Sequence, residues 1–343
     1  MKHLDILNRA TGTEWDQIVD SHPGATVFHS SAWARVVCET YGHNPCYIGL
    51  FRQNEPVALV PLIEVVSPFT GRRGVCLPFT DACGPLVFQE EAWPALQQEL
   101  EQLAIGRRWR HVEVRGGEGF DSGADSNFFE HTLPLTTNPD HLLEQFSGAT
   151  RGAIRQAIQN PLQIDIGTTI NSMHEFYRLH ARTRKKHGVP PQPFRFFAKI
   201  QQHLLQGQRG FVILARQGSR AVAGAVFLLQ RSKAIYKFAA SDPKLGRLRG
   251  NNLVLWEAIR HLISHGCDML DFGRTSLQNE GLRRFKLSWG AKEHMIGYHR
   301  FDVARGAWIK PDVQEGALHK HVFRSLPLAL NRFAGAMAYP HLD

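Results

Sequence analysis

Two arginines and a glycine stand together where a predicted strand leads into a predicted helix, in the segment Arg247-Leu248-Arg249-Gly250-Asn251-Asn252. A helix N-terminus presents backbone N–H groups and the positive end of the helix dipole, and therefore binds phosphate. Gly250 lets the backbone approach a ligand closely, while Arg247 and Arg249 add positive charge. The spacing predicts a phosphate-binding loop. The alternative is an ordinary helix start with two solvated arginines.

A second group of charged and aromatic residues follows the strand predicted at Asp268–Phe272. The carboxyl end of a buried strand is where α/β proteins commonly bind ligands. Arg274 and Lys286 can neutralise a diphosphate or a developing oxyanion, and Asp271 can orient or deprotonate an amine. In the alternative, Lys286 lies on the solvent face of a helix. The inward side chains of that helix are then Leu282, Phe285 and Trp289.

These segments belong to two copies of one element order, which indicates a duplication. Each copy consists of a hairpin, a strand, a loop, a helix and a final strand. The first copy is predicted at Asn44–Arg52, Val57–Val66, Arg73–Leu77, Glu91–Gly106 and Arg110–Arg115. The second is predicted at Gly210–Arg216, Ala221–Leu229, Lys233–Ala240, Asn251–His265 and Asp268–Phe272. Because only the second copy has a phosphate loop, we expect the first to help bind the acceptor.

The order of elements predicts a mixed α/β protein of two consecutive domains, 1–140 and 141–305, followed by a basic tail, 306–343. Helices are also expected at Thr13–Ser21, Ser30–Tyr41, Pro139–Asn160, Asn171–His187 and Phe194–Gln206. The tail is basic and partly apolar. Packing against the body of the protein is favoured over peripheral contact with the inner membrane surface.

Composition narrows the classes of protein and partner. The chain has 343 residues, of which 43% are hydrophobic and 21% charged, as in a globular protein of about two domains. Neither a membrane span nor an export signal is evident, and five scattered cysteines and eighteen histidines show no disulfide or metal-ligand spacing. We therefore expect a cytoplasmic protein without metal. The net charge of +9 favours polyanions such as transfer RNA, coenzyme A, nucleotide-sugar diphosphates or anionic lipid, and we expect no DNA partner.

Several short segments become distinctive when they are taken in order. They are Thr150–Ala157, His187–Pro191, Asp271–Arg274 and Gly281–Gly290, with His29–Trp33, Tyr41–Gly42, Pro61–Leu62 and Pro78–Asp81 in the first half. Together they resemble the FemAB-like family of peptidoglycan bridge-forming aminoacyltransferases, within the GNAT superfamily. The resemblance spans roughly residues 15–300. Within the family, the chain most resembles FemAB-related proteins associated with PEP-CTERM systems. Residues 247–252 also resemble the acetyltransferase pyrophosphate pattern, with Asn252 in place of its final small residue.

The resemblance implies two tandem GNAT-like domains and an acyltransferase activity. An acyl or aminoacyl group would pass from acyl-CoA or aminoacyl-tRNA, used as co-substrates without a permanently bound cofactor, to an amine. The acceptor would be a small-molecule or lipid-linked precursor of the cell wall or of an exopolysaccharide. The expected donor-binding residues are Arg247, Arg249, Gly250, Asn251 and Asn252. The expected substrate-binding residues are Arg151, Arg155, Arg274 and Trp289.

The expected mechanism is direct attack of a neutral amine on an ester or thioester carbonyl. Asp271 and Asp81 are the candidates to accept the amine proton, and Glu280 ranks third. Lys286 or backbone N–H groups at a strand bulge would stabilise the oxyanion. Tyr236, on the strand before the phosphate loop, would protonate the leaving group, although an aromatic residue in a strand is more often part of the core.

Two other classes of function stay open. A non-catalytic protein that binds an anionic glycan or lipid-linked precursor would keep the arginines without needing an acid or base. An RNA-binding module would explain the net charge, but the basic residues are dispersed and match no RRM, KH or OB pattern.

Overall fold

A computed structural model describes residues 3–5, 13–117, 128–310 and 320–342. The strands are β1 His3–Asp5, β2 Asn44–Arg52, β3 Glu55–Ser67, β4 Gly71–Val75, β5 Leu86–Val87, β6 His111–Arg115, β7 Phe128–Pro134, β8 Gln163–Gly167, β9 Gly210–Gln217, β10 Arg220–Gln230, β11 Lys233–Ser241, β12 Met269–Ser276, β13 Lys292–Ile296, β14 Tyr298–Asp302 and β15 Ala307–Ile309. The helices are α1 Thr13–Ser21, α2 Ser31–Tyr41, α3 Trp93–Gly106, α4 Pro139–Gln145, α5 Gly148–Gln159, α6 Ile170–Lys186, α7 Phe194–Ile200, α8 Gly250–Ser264, α9 Glu280–Leu287, α10 Lys320–Ser325 and α11 Leu328–Ala338.

The strands form two mixed sheets. The first has the order β1-β2-β3-β4-β6-β14-β15, with β5 beside another part of β3, and the second has the order β13-β7-β12-β11-β10-β9-β8. Both predicted hairpins are present as antiparallel pairs, β2 with β3 and β9 with β10. In each sheet the strand after the helix runs parallel to the strand before the loop, β6 beside β4 and β12 beside β11. The predicted α/β fold with two repeated element orders is therefore confirmed.

The chain divides into two compact units that interleave along the sequence. The first unit comprises Met1–Phe128, Met295–Gln314 and Ala338–Asp343, and the second comprises Phe129–His294 and Glu315–Met337. The expected domains 1–140, 141–305 and 306–343 are consecutive stretches of the sequence, whereas each observed unit combines separate stretches. The chain returns to the first unit because β14 pairs with β6 of the first sheet, with Tyr298 opposite Arg115.

One expected helix, Pro139–Asn160, is in fact two helices. Phe146 takes an extended backbone conformation at the end of α4, and the side chain of Ser147 accepts the N–H of Thr150 at 3.2 Å to begin α5. The break allows the Phe146 ring to be buried beside Trp289, with ring centroids 5.0 Å apart. Core packing therefore outweighs the helical propensity of the segment.

Helices cover both faces of the second sheet. Phe211, Ile213 and Ala215, alternate residues of β9, pack in one core with side chains of α5 and α8. On the opposite face α6 lies so close that a Cβ at Gly224 would meet the ring of Phe176. The carboxyl ends of β11 and β12 thus lie between two helical layers. None of the helices in the described part of the chain is long and apolar enough to cross a bilayer.

Candidate active site

The parallel strands β11 and β12 separate part-way along their length. They are paired over three residues, the last pair being Ile235 and Asp271. Beyond that pair β11 continues to Ser241 and β12 to Ser276 with no further register partners between them. We call the carboxyl-edge region beyond the last pair the slot, because ligands commonly bind at this edge in α/β folds.

A bulge in β11 lies at the start of this slot. Val226 of β10 is opposite Phe238, and the next residue, Phe227, is opposite Tyr236. Lys237 therefore has no opposite residue on β10. Bulges re-aim backbone and side-chain groups and are frequent beside active sites.

Lys286 is buried at the end of β12, so the alternative that placed it on a solvent face was wrong. Its side chain is only 3% exposed, and Nζ donates to the carbonyl oxygens of Gly273 at 2.6 Å and Arg274 at 3.1 Å. Leu282, expected to point inward, is 37% exposed instead. Because burying an ammonium is costly unless it is hydrogen-bonded, this arrangement indicates a role for the charge at the end of β12.

Asp271 lies at the point where the two strands part. It is half-buried, and its Oδ1 accepts the backbone N–H of Gly273 at 2.7 Å. Gly273 has a φ of 71°, which glycine adopts without strain. The turn aims the carbonyl groups of Gly273 and Arg274 at the Lys286 ammonium. The backbone of Arg274 therefore belongs to this site.

Tyr236 directly follows the last paired residue of β11. Its half-buried ring lies 5.1 Å from the ring of Phe227 and 6.0 Å from that of Phe272, measured between centroids. Burial raises the pKa of the Tyr236 hydroxyl well above its ordinary value, so the phenol keeps its proton at neutral pH. Tyr236 thus packs against the core, as an aromatic strand residue commonly does, and also lies beside the slot.

The predicted phosphate loop is a 3-10 turn, Pro243–Leu248, which leads into α8. Arg249 is the N-cap residue and has left-handed backbone angles, φ 56° and ψ 30°. No side chain caps this end of the helix. A non-glycine residue held in this conformation indicates a functional constraint when it lies at a ligand loop.

The other residues of the loop have distinct contacts. A Cβ at Gly250 would lie 3.0 Å from the Cβ of Ala223, so the glycine permits close packing of α8 on β10. The Asn251 side chain donates to Ser241 Oγ at 3.1 Å, and Arg249 Nε donates to Gln156 at 3.1 Å. Arg247 is exposed and Asn252 is half-buried. The loop therefore presents positive charge to solvent at an uncapped helix start.

A cavity of about 410 Å³ opens beside the turn of the β9–β10 hairpin. Its lining is Glu175, Arg178, Leu179, Arg182, Ser219, Arg220 and Ala221. Within the described residues, neither Arg178 nor Arg182 has an ion-pair partner, whereas Glu175 binds Arg216 at 2.7 Å. Arg220 binds Asp242, the residue that begins the phosphate loop. The cavity does not include Lys286 or Asp271, and it forms a basic surface next to the loop.

Sequence reasoning missed a buried histidine close to Lys286. The side chain of His131 is fully buried, and its Nε2 lies 3.1 Å from Glu293, which also receives Arg283 at 2.7 Å. Burial lowers the pKa of His131, and the positive charge of Lys286 lowers it further. No local pattern marks this residue, because it arrives on β7, which lies next to β12 in the sheet but far from it in sequence.

Three of the expected substrate-binding residues have other surroundings. Trp289 is fully buried in the core of the second unit, so its ring has no surface to offer a substrate. Arg151 donates to the carbonyl oxygens of Glu144 and Phe146 at 2.8 and 2.9 Å and thereby holds the end of α4. Arg155 is exposed on α5.

The other two candidate carboxylates have different surroundings. Asp81 belongs to the first unit, where its backbone carbonyl accepts the hydroxyl of Tyr298 at 2.6 Å. Glu280 is exposed at the start of α9 and lies 3.5 Å from Arg283.

Comparisons with known proteins identify the fold. Residues 146–294 match the family model described as an acetyltransferase (GNAT) domain, whereas no curated protein matches the chain in sequence. The structure of FemX superposes with a TM-score of 0.72 at 16% identity, covering 89% of this chain and 98% of FemX. A tandem GNAT protein from the clavulanic acid biosynthesis pathway gives 0.56 at 11% identity, covering 91% and 100%.

The fold is that of two GNAT domains in tandem. A third structure, the C-terminal domain of a proposed lysylphosphatidylglycerol synthetase from Agrobacterium fabrum, has a TM-score of 0.56 at 13% identity and covers 94% of this chain and 95% of that domain. The FemAB-like GNAT fold expected from the motifs is therefore confirmed. The GNAT fold is an acyltransferase fold. The narrower association with PEP-CTERM systems stays a prediction.

Proposed function

We propose that the chain is an N-acyltransferase and that its second GNAT unit holds the active site. The observation that carries this proposal is the buried Lys286 ammonium at the carboxyl edge where β11 and β12 part. Asp271 and the Lys237 bulge lie at the start of the same slot. An acyl group that entered between the strands would therefore meet a positive charge, a carboxylate and a distorted backbone.

The proposed step is direct attack of the acceptor amine on the donor carbonyl carbon. As the C–N bond forms, Asp271 takes the amine proton, directly or through one water. Lys286 stabilises the oxygen that becomes negative in the tetrahedral intermediate. The bond from carbon to the leaving oxygen or sulfur then breaks, and the Tyr236 hydroxyl gives its proton to the leaving group.

We further propose that the phosphates of the donor bind at the start of α8. Arg247 and Arg249 supply charge, and Asn251 and Asn252 supply amide groups at an uncapped helix end. Both acyl-CoA and aminoacyl-tRNA fit this chemistry, and Arg178, Arg182 and Arg220 would add contacts for a longer polyanion. Because both donors are made in the cytoplasm, we place the reaction there.

The acceptor in this proposal is an amine on a cell-wall or exopolysaccharide precursor, either a small molecule or lipid-linked. The first unit would bind it, with Asp81 as a candidate contact. Arg155 and the Arg274 side chain are further candidates for acceptor binding in the second unit. FemX, with its TM-score of 0.72, supports aminoacyl transfer as one form of the activity.

The test is a binding and turnover survey of the intact protein at about 150 mM salt, near physiological ionic strength. The ligands are acetyl-CoA, charged and uncharged tRNA, and a UDP-linked cell-wall precursor. Arg247→Ala is compared with Arg260→Ala, an exposed arginine farther along α8 that pairs with Glu257. Saturable binding of acetyl-CoA or charged tRNA that only Arg247→Ala weakens would support the donor site and identify the donor.

Two results would overturn the assignment. Failure of every donor to bind would exclude the proposed donor classes. Binding of the precursor without any turnover, unchanged in Asp271→Asn, would instead identify a non-catalytic binding protein.

A further inference from the structure

The last two helices of the second unit present an exposed apolar surface. Val322 of α10 and Leu330, Phe333 and Met337 of α11 are each between 53% and 66% exposed. The three residues of α11 are spaced by three and four positions and therefore share one side of the helix. We call these four side chains the C-terminal apolar face.

Contacts on the other side of α11 hold this face outward. Asn331 is fully buried and donates to the carbonyl oxygen of Phe323 at 2.7 Å. At Gly335 the helix lies so close to Pro191 that a Cβ would come within 2.0 Å of its carbonyl oxygen. The Arg332 guanidinium lies over the ring of Tyr177, 5.3 Å from its centroid. Rotation of the helix to bury the apolar face would break all three contacts.

The same segment is uniformly basic. Residues 320–342 contain Lys320, Arg324 and Arg332 and two histidines, and no aspartate or glutamate. The charged side chains of α10 and α11 are all basic, which makes the apolar face complementary to a surface with anionic groups above an apolar interior. A symmetric contact between two copies through this face would bring Arg324 of both chains close together, which like-charge repulsion disfavours.

We propose that the C-terminal apolar face docks on the surface of an anionic phospholipid bilayer. Leu330, Phe333 and Met337 insert at the level of the acyl-chain boundary, while the exposed Arg324 contacts the headgroups. The helix lies on the bilayer and does not cross it. This inference is independent of the transfer reaction and places the enzyme next to lipid-linked molecules.

The experiment is flotation of the intact protein with vesicles of phosphatidylcholine alone or with about 30% phosphatidylglycerol, a typical anionic fraction for such tests. We expect binding to the anionic vesicles only. Phe333→Ser combined with Met337→Ser should weaken it by at least about tenfold, because burial of two large side chains is lost. Since both side chains are exposed, the variant should keep its fold, which circular dichroism and thermal unfolding check. Ile105→Ser, at an exposed isoleucine of the first unit, is the matched control and should bind as the parent does.

Three outcomes would overturn the proposal. The first is absence of binding to anionic vesicles. The second is binding that Phe333→Ser with Met337→Ser leaves intact. Vesicle binding would then result from the net charge of the chain and not from the apolar face. The third is a dimer, seen by light scattering, that the same double variant dissociates, which would assign the face to a second copy of the chain. Turnover with soluble substrates should be the same in parent and variant, so a failure here is distinguishable from a failure of the acyltransferase proposal.

Discussion

The two copies of the strand–loop–helix–strand unit carry a carboxylate at the same place and surround it differently. Glu113 is opposite Val75 at the last pair of β4 and β6, as Asp271 is opposite Ile235 at the last pair of β11 and β12. Glu113 is buried and binds Arg115 at 3.0 Å and Arg300 at 2.7 Å. Asp271 is half-buried in a turn with Gly273. One position therefore serves an internal ion pair in the first copy and borders an open slot in the second.

The helix that follows the loop also differs between the copies. The first turn before α3 contains Glu90 and Glu91, whereas the start of α8 is flanked by Arg247 and Arg249. The N-terminus of each helix is the positive end of its dipole. In the first copy the acidic side chains near this end would repel phosphate. The two copies thus share a topology and differ in the charge at the helix start, and the proposed donor site needs the basic one.

The largest expected effect separates the two copies at their buried cations. Lys286→Met should lower kcat/KM by about 10²- to 10³-fold, the range found when an oxyanion-stabilising donor is removed. Arg115→Met, which removes a buried cation of the first copy, should lower stability and leave turnover of the folded enzyme unchanged. Steady-state kinetics and thermal unfolding of both variants measure this. An equal loss of turnover in Lys286→Met and Arg115→Met would contradict the assignment of catalysis to the second copy alone.

The paired carboxylates provide the second test. Asp271→Asn should reduce kcat by about 10²-fold, because the amine loses its proton acceptor. Glu113→Gln should instead reduce the free energy of unfolding by about 3 kcal/mol, since it leaves a buried Arg115 with a neutral partner. Denaturant unfolding and kcat are measured for both. The comparison would be broken if Glu113→Gln were the inactive variant.

A third test concerns the helix starts. Arg247→Ala and Arg249→Ala should each raise the donor KM by about tenfold, as expected for the loss of one charge-assisted contact to phosphate. Glu91→Gln, at the corresponding place in the first copy, should leave the donor KM unchanged. A donor KM that responds to Glu91→Gln as strongly as to Arg247→Ala would mean that the first copy also binds donor.

The smallest expected effect comes from one buried imidazole in each unit. Burial lowers the pKa of His29 to about 4, although hydrogen bonds to Gly84 and Thr26 oppose the shift. Burial, with the charge of Arg184, lowers the pKa of His180 to about 3. Below pH of about 6.5 the unfolded chain binds protons that the folded chain does not, so the free energy of unfolding falls as the pH falls.

Each histidine contributes at most about 1.4 kcal/mol per pH unit to this slope. His180→Gln and His29→Gln should each flatten the dependence below pH of about 6, and the His180 variant should flatten it over the wider range, down to about pH 3. Chemical denaturation at a series of pH values measures the slopes. Parallel curves for parent and both variants would contradict the assignment of these shifts.

Local sequence determined much of this protein. Both hairpins, the strand before each loop and the start of α8 lie within one or two residues of their expected positions, because turn residues and hydrophobic periodicity act over a few residues. Gly266 ends α8 with a φ of 76°, as expected of a glycine after a helix. The prediction of a phosphate loop at residues 247–252 rests on the same local signals.

Tertiary structure decided what the sequence pattern left open. Lys286 and Trp289 stand three residues apart on a short charged stretch, and only packing against β12 and the core shows that both are buried, one as a hydrogen-bonded cation and one as core. His131 reaches the same region on a strand from a distant part of the chain, and β14 returns to the first sheet. Such placements depend on non-local contacts, whose energies come from burial and pairing between segments, and no periodicity within one segment encodes them.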